Sequence, residues 1–188
     1  FGVSKGTIGR VESYDISNLG NDDICAGMVV FKDGKPDKSA YRLFKMKTVT
    51  SQDDFASMNE VLTRRFAHNK NDGFEYPSLI LVDGGKGQLS EVESVVRRLA
   101  PDSGILLAGM VKNNKHKTSG ILFTDGRFIK LDNSVEGEDS HEARSDRDVV
   151  LLRFLTAVQN EVHRYAITYQ RKLAKKRNIK YHLENISG

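Results

Sequence analysis

The apolar positions of this chain change their period as it runs. Residues 10–16, Arg10-Val11-Glu12-Ser13-Tyr14-Asp15-Ile16, alternate and predict a strand; residues 24–31 predict a second. Asp33-Gly34-Lys35-Pro36 reads as a turn leading into a third strand around residues 39–46, so the chain opens with a meander. The spacing then becomes helical, with Phe55, Met58, Val61, Leu62 and Phe66 on one face. The short apolar run of residues 78–83 predicts a buried strand, and Val92, Val95, Val96 and Leu99 mark a second helix. Residues 105–111 predict another strand, and residues 121–123 with 128–131 a hairpin around Thr124-Asp125-Gly126-Arg127. Residues 133–146 are polar, acidic and poor in apolar anchors, the pattern of a mobile loop. Leu151, Leu155, Val158, Val162 and Ala166 then recur at helical spacing, which predicts a long helical region over 147–182, basic at its C-terminal end.

These elements make one α/β domain spanning residues 1–188: a mixed sheet begun by a three-strand meander, continued by alternating helices and strands, and closed by a long C-terminal helix. That is the element order of a ribonuclease H-like domain. Element order constrains the fold and leaves the function to the site.

Composition narrows the class. At 188 residues and 38% hydrophobic content the chain can bury one sizeable core. A single cysteine, Cys25, excludes an intrachain disulfide framework and a zinc cluster, so a reducing, cytoplasmic setting is expected. No run of apolar residues is long enough to span a membrane, and no leader is visible. A chain that starts at Phe1 is expected to be a piece of a longer protein. The formal charge of +4 matters less than its distribution. From His163 to Leu183 the chain carries Arg164, Arg171, Lys172, Lys175, Lys176, Arg177 and Lys180 with no acid, a footprint for a polyanion such as nucleic acid. The same run also suits a solvated helix end whose cations complement the dipole.

The candidate chemistry centres on the end of the 78–83 strand, where Asp83 is followed by Gly84-Gly85-Lys86-Gly87-Gln88. Ligands collect at the carboxyl ends of strands in open α/β sheets. Here an acid, a flexible backbone and a cation stand together, suited to a phosphate, a metal ion or both; a simple turn closing the strand is the alternative. The phosphate-binding loop of nucleotide hydrolases is excluded, because its spacing is absent and no hydroxyl follows Lys86. Asp15 ends the alternating part of the first strand and would lie beside Asp83 if the two strands were neighbours. Two such carboxylates repel, and a hard divalent cation between them relieves the repulsion. His163, beside the apolar stripe of the last helix, reads either as a ligand or proton carrier or as a satisfied core histidine. Ser51-Gln52-Asp53-Asp54 has capping-box spacing, with Ser51 at the cap and Asp54 three residues on.

Four blocks carry a resemblance. Tyr14-Asp15-Ile16-Ser17; Asp53-Asp54-Phe55-Ala56-Ser57-Met58 with Val61-Leu62-Thr63-Arg64-Arg65-Phe66; Leu81-Val82-Asp83-Gly84-Gly85-Lys86-Gly87-Gln88-Leu89; and Glu161-Val162-His163-Arg164-Tyr165-Ala166-Ile167-Thr168-Tyr169 resemble, in this order, the C-terminal nuclease region of the bacterial excinuclease C subunit, the UvrC family. The resemblance implies a ribonuclease H-like endonuclease making the 5′ incision beside a lesion in nucleotide excision repair. It implies an Asp-Asp-His set on Asp15, Asp83 and His163 holding Mg²⁺ or Mn²⁺, and a further catalytic role for Asp54. Lys86 and Gln88 would position the phosphate, and Arg164, Arg171, Lys172, Lys175, Lys176 and Arg177 would hold the DNA backbone without reading sequence. The implied partners are double-stranded damaged DNA and the excinuclease B subunit on that DNA, the latter through a segment outside this chain, with no membrane and no small-molecule substrate. By the same pattern the chain would begin after the family's N-terminal nuclease and B-binding segment and stop where its helix-hairpin-helix motifs begin; the acidic 133–146 segment is longer than the family pattern. Two alternatives stand beside this reading: a ribonuclease H-like module that binds nucleic acid without cutting it, and a nuclease of the same fold outside repair.

Overall fold

Alternation along β1 (Arg10–Leu19) assigns its side chains to opposite faces of the sheet, Val11, Ser13 and Asp15 to one and Glu12, Tyr14 and Ile16 to the other. The computed structural model describes residues 9–19, 23–49, 53–67, 75–115, 117–131 and 145–186. β2 (Asp23–Lys32) runs back antiparallel along the whole of β1, from Arg10↔Lys32 to Leu19↔Asp23. Asp33 and Gly34 then both take positive φ, 50° and 77°, the pair of left-handed residues that a two-residue hairpin turn needs. The expected third strand over 39–46 is shorter than its sequence suggests. A two-residue β3 (Lys35–Pro36) and a 3-10 turn at Lys38–Ala40 precede β4 (Arg42–Lys45), and both strands pair with the same edge of β2. Pro36 has no N–H with which to extend the ladder, so the strand restarts beyond it.

The rest of the chain alternates as expected: α1 (Asp54–Ala67), β5 (Leu79–Val82), α2 (Lys86–Leu99), β6 (Leu106–Lys112), β7 (Thr118–Phe123), β8 (Phe128–Lys130) and α3 (Asp146–Ile186). The sheet runs β3-β2-β1-β5-β6-β7-β8, with β4 also on β2. β5 lies between β1 and β6 and is parallel to both, and its four residues are buried, which explains an uninterrupted apolar run where an alternating one would mark a half-exposed strand. Residues 133–144 of the expected acidic loop lie outside the described residues, while Asp146 already opens α3.

Helices cover both faces. Arg65 of α1 reaches Glu12, and His163 of α3 reaches Asp15; residues of opposite parity on β1 face opposite sides, so α1 and α3 sandwich the strand. Leu155, Val158, Val162 and Ala166 of the sequence stripe are all fully buried. Among the described residues no helix is long and apolar enough to cross a membrane.

The passage from β4 into α1 is pinned by Glu60. Its carboxylate accepts hydrogen bonds from the Lys47 N–H at 2.9 Å, the Thr48 N–H at 2.9 Å, the Thr48 hydroxyl at 2.6 Å and Arg64 at 3.2 Å. Partial burial works against the charge, but these donors outweigh it and hold the carboxyl down at about 2, below its ordinary 4.5. A depressed carboxyl stabilises the fold above its unfolded pKa and loses that contribution as pH falls through the folded one. Glu60→Ala should therefore cost about 1–2 kcal/mol at pH 7, an amount suited to partly exposed hydrogen bonds to a charged acceptor. In thermal melts the deficit should shrink between pH 4.5 and 2; a deficit constant over that range would show that the carboxylate charge is not what holds the segment.

Candidate active site

Parallel pairing of Tyr14 with Val82 brings the residues that follow them, Asp15 and Asp83, side by side where the pairing of β1 with β5 ends. The neighbouring strands that the sequence left as a condition are therefore present. α3 delivers the third group: His163 Nδ1 lies 3.2 Å from Asp15 Oδ2, with the histidine side chain 66% exposed. That exposure removes the core-histidine reading. α3 approaches closely because Gly27, paired with Asp15 on β2, has no side chain; a Cβ there would stand 3.2 Å from the Ala166 nitrogen.

Both oxygens of Asp83 are engaged. Lys112 Nζ is 3.0 Å from Oδ2, and Gln159 Nε2 donates to Oδ1 at 2.8 Å. Lys112 ends β6 where its register with β7 shifts, an irregularity of the kind that re-aims a side chain at a sheet rim. Burial pushes the Asp15 carboxyl above its ordinary range; the hydrogen bond and charge of His163 oppose the rise, and the Asp83 charge adds to it.

On the other side of the two strands a cleft of about 70 Å³ is bounded by Asp15, Asp83, Asp54, Phe55, Gln88 and Glu91, among others. It has room for water or an ion and falls well short of the several hundred Å³ of a small-molecule site. Asp54 reaches it as the first residue of α1. The capping role assigned by spacing is corrected here: Ser51 lies outside the described residues, and the cap hydrogen bond is made by Asp53, whose Oδ1 accepts from the Ala56 N–H at 2.9 Å. Asp54 is thereby left to face the cleft. Gln88 lines it too, and its amide oxygen occupies the place a Cβ on Gly84 would take. Lys86 opens α2 in an exposed position and is not among the cleft-lining residues.

The basic stripe is only partly described. Arg164 is exposed but bound to Glu161 through two contacts of 2.7 Å, which the acid-free span from 163 to 183 had hidden by starting after Glu161. Arg171 and Lys172 are exposed on α3. Lys175, Lys176 and Arg177 belong to the same helix, and their side chains lie outside the described residues.

Among the described residues no three His, Cys, Asp or Glu side chains converge into a ready-made metal cage. The donor chemistry nevertheless fits a hard divalent cation: adjacent carboxylates, one of them pushed up by burial with its neighbour's charge adding to the rise, an imidazole in contact and a lysine ammonium already at Asp83. Sequence reasoning passed over Lys112, Gln159, Thr118 and Glu91. Gln159 had a usable signal, since it lies one helical turn before His163 and so on the same side of α3.

The match to known proteins covers this whole constellation. Residues 3–167 match the model of the UvrC RNase H endonuclease domain. The chain belongs to this family. UvrABC system protein C of Acetivibrio thermocellus is 41% identical over 197 residues, covering 95% of this chain and 29% of that protein. The Finegoldia magna protein of the same name is 42% identical over 186 residues, covering 96% and 28%. The chain thus spans under a third of the length of these UvrC relatives. Among solved structures, Ciona intestinalis endonuclease V carrying D234N, bound to a 23mer DNA containing an inosine followed by a ribo-adenosine, superposes with a TM-score of 0.53 at 11% identity, covering 90% of this chain and 88% of that one. That likeness bears on the fold alone and agrees with the ribonuclease H-like architecture expected from element order.

Proposed function

We propose that this domain hydrolyses a phosphodiester on the 5′ side of a lesion in double-stranded DNA, in nucleotide excision repair and in concert with the excinuclease B subunit. The observation that carries the reading is the meeting of Asp15 and Asp83 where the parallel pairing of β1 with β5 ends, with His163 in contact with Asp15. Asp15, Asp83 and His163 are the groups that would hold Mg²⁺ or Mn²⁺. Such a cation, when bound, neutralises charge on the phosphoryl group and supplies hydroxide near neutral pH. The chain's own residues orient and move protons around that centre. His163, exposed and poised on Asp15, is placed to exchange a proton with solvent. Asp54 adds a carboxylate to the cleft, and Gln88 an amide able to hold a phosphate oxygen. Lys86 and the cations of α3 at Arg164, Arg171, Lys172, Lys175, Lys176 and Arg177 would track the DNA backbone, giving affinity independent of sequence.

The test is His163→Ala in the full-length subunit assayed with its partners. Incision on the 5′ side should fall by about 10²-fold or more, the scale of a lost proton-transfer group. The melting temperature should barely move, since an exposed side chain contributes little to folding. Normal 5′ incision by this variant would remove His163 from the mechanism.

A further inference from the structure

Thr118 of β7, Gln159 of α3 and Asp83 after β5 form a chain of hydrogen bonds: the Thr118 hydroxyl donates to Gln159 Oε1 at 2.7 Å, and Gln159 Nε2 donates to Asp83 Oδ1 at 2.8 Å. The direction of the chain follows from chemistry. An ionised carboxylate only accepts, so the amide must turn its NH₂ to Asp83 and its oxygen away. That oxygen then faces a hydroxyl, which supplies the hydrogen. Thr118 is nearly buried, and with it the amide is held in one of its two orientations.

We infer that Gln159 is a positioning residue of the nuclease site, and that Thr118 acts through it. With Oδ1 held by the amide, the plane of the Asp83 carboxylate is set and Oδ2 is turned toward the position now taken by the Lys112 ammonium. That is the oxygen available to a divalent cation once Lys112 gives way. The arrangement also explains why α3 crosses where it does. Gln159 and His163, four residues apart, occupy the same side of the helix and engage the two acids on neighbouring strands, Gln159 on Asp83 and His163 on Asp15. One rigid helix thus sets both carboxylates, and an error in its seating would disturb both.

This inference rests on the proposed nuclease function, and the experiment separates the two. Mn²⁺ binding to the 188-residue chain would be titrated by electron paramagnetic resonance, beside thermal melts without metal and DNA incision by the full-length subunit with its partners. Gln159→Leu should weaken Mn²⁺ binding by about 10–100-fold, the usual effect of removing a partner that orients a metal ligand. It should lower the kcat of incision while leaving the KM for DNA unchanged, a split that a merely structural role would not produce. Thr118→Val, nearly isosteric and expected to fold, should move both readouts the same way by about 2–10-fold, the value of one neutral hydrogen bond. Thr118→Ser should restore them. If Gln159→Leu and Thr118→Val bind Mn²⁺ as the wild type does while Asp83→Ala has lost binding, the positioning role is wrong and the nuclease site stands. If Asp83→Ala also binds Mn²⁺ normally, the metal site itself is misassigned.

Discussion

Asp83→Ala in the full-length subunit should cut 5′ incision by at least about 10³-fold, a loss of ~4 kcal/mol of transition-state stabilisation. Three lines of geometry at the site meet at this carboxylate: the parallel neighbour Asp15, the ammonium of Lys112 and the amide of Gln159. Asp15→Ala should be equally damaging, because removing either acid leaves only one carboxylate at the junction of the strands. The fold should survive both changes. The Lys112 ion pair with Asp83 is partly exposed, with side-chain accessibilities of 39% and 18%, and such a pair contributes about 0–1 kcal/mol. At Asp15 the sign runs toward stabilisation. Its carboxyl is raised by burial, so ionisation disfavours the folded state as pH climbs through the carboxylate range, and Asp15→Asn should melt at the same temperature as the wild type or higher at neutral pH. An inactive but undiminished fold is the pattern of residues kept for chemistry at some expense to stability. Gel assays of lesion-containing duplex with the partner subunits measure the first effect; 5′ incision at the wild-type rate by either alanine variant would end the assignment.

Glu12→Ala should destabilise the domain by about 3–5 kcal/mol, the effect of leaving a buried charge without its partner. Glu12 is fully buried on the α1 face of β1 and receives Arg65 Nη2 at 2.7 Å, Arg10 Nε at 2.9 Å and the Tyr14 hydroxyl at 2.6 Å. Arg65, 2% exposed, is anchored besides by the Glu75 carbonyl at 2.7 Å. Burial and then the Glu12 charge push the Tyr14 hydroxyl well above its ordinary value, so it stays a donor. For a chain of this size the melting temperature should drop by roughly 6–20 °C. Arg65→Met with Glu12→Leu should be milder than the sum of the single changes, because the uncompensated charge is gone from both sides. A loss under about 1 kcal/mol for Glu12→Ala would mean that water reaches the network and that the tie between β1 and α1 lies in apolar packing alone. The network also has a bearing on the site: it seats α1, whose first residue, Asp54, lines the cleft.

Much of this molecule can be read from its residues. Period separated the half-buried strands from the helices, because such a strand needs alternation and a helix packed on a sheet needs a stripe every three or four residues; the buried β5 was marked instead by a short apolar run closed by a turn. Asp15, Asp83 and His163 stood out because Asp15 follows the alternating part of the first strand, Asp83 ends an apolar one and His163 sits by the stripe of a long helix. The turn at Asp33-Gly34 was likewise visible, since few other pairs accept two positive φ angles. Where the sequence misled, a short-range rule had two solutions. Capping-box spacing pointed to Ser51, while Asp53, one residue before the helix, makes the bond; both satisfy the same hydrogen-bonding need of a helix start.

What only the tertiary structure decided is which distant residues meet. Strand order put β5 beside β1, which turned two acids 68 positions apart into neighbours, and no local pattern encodes that adjacency. The exposure of His163, the buried partnership of Glu12 with Arg65 and the relay from Thr118 through Gln159 to Asp83 all depend on how helices seat on the sheet. Polar residues such as Gln159 or Lys112 look the same in sequence whether they face water or a carboxylate, because their hydrogen-bonding capacity is met equally well by either. Hydrophobic periodicity marks which face of an element turns inward; the choice of polar partner is made only when the elements pack.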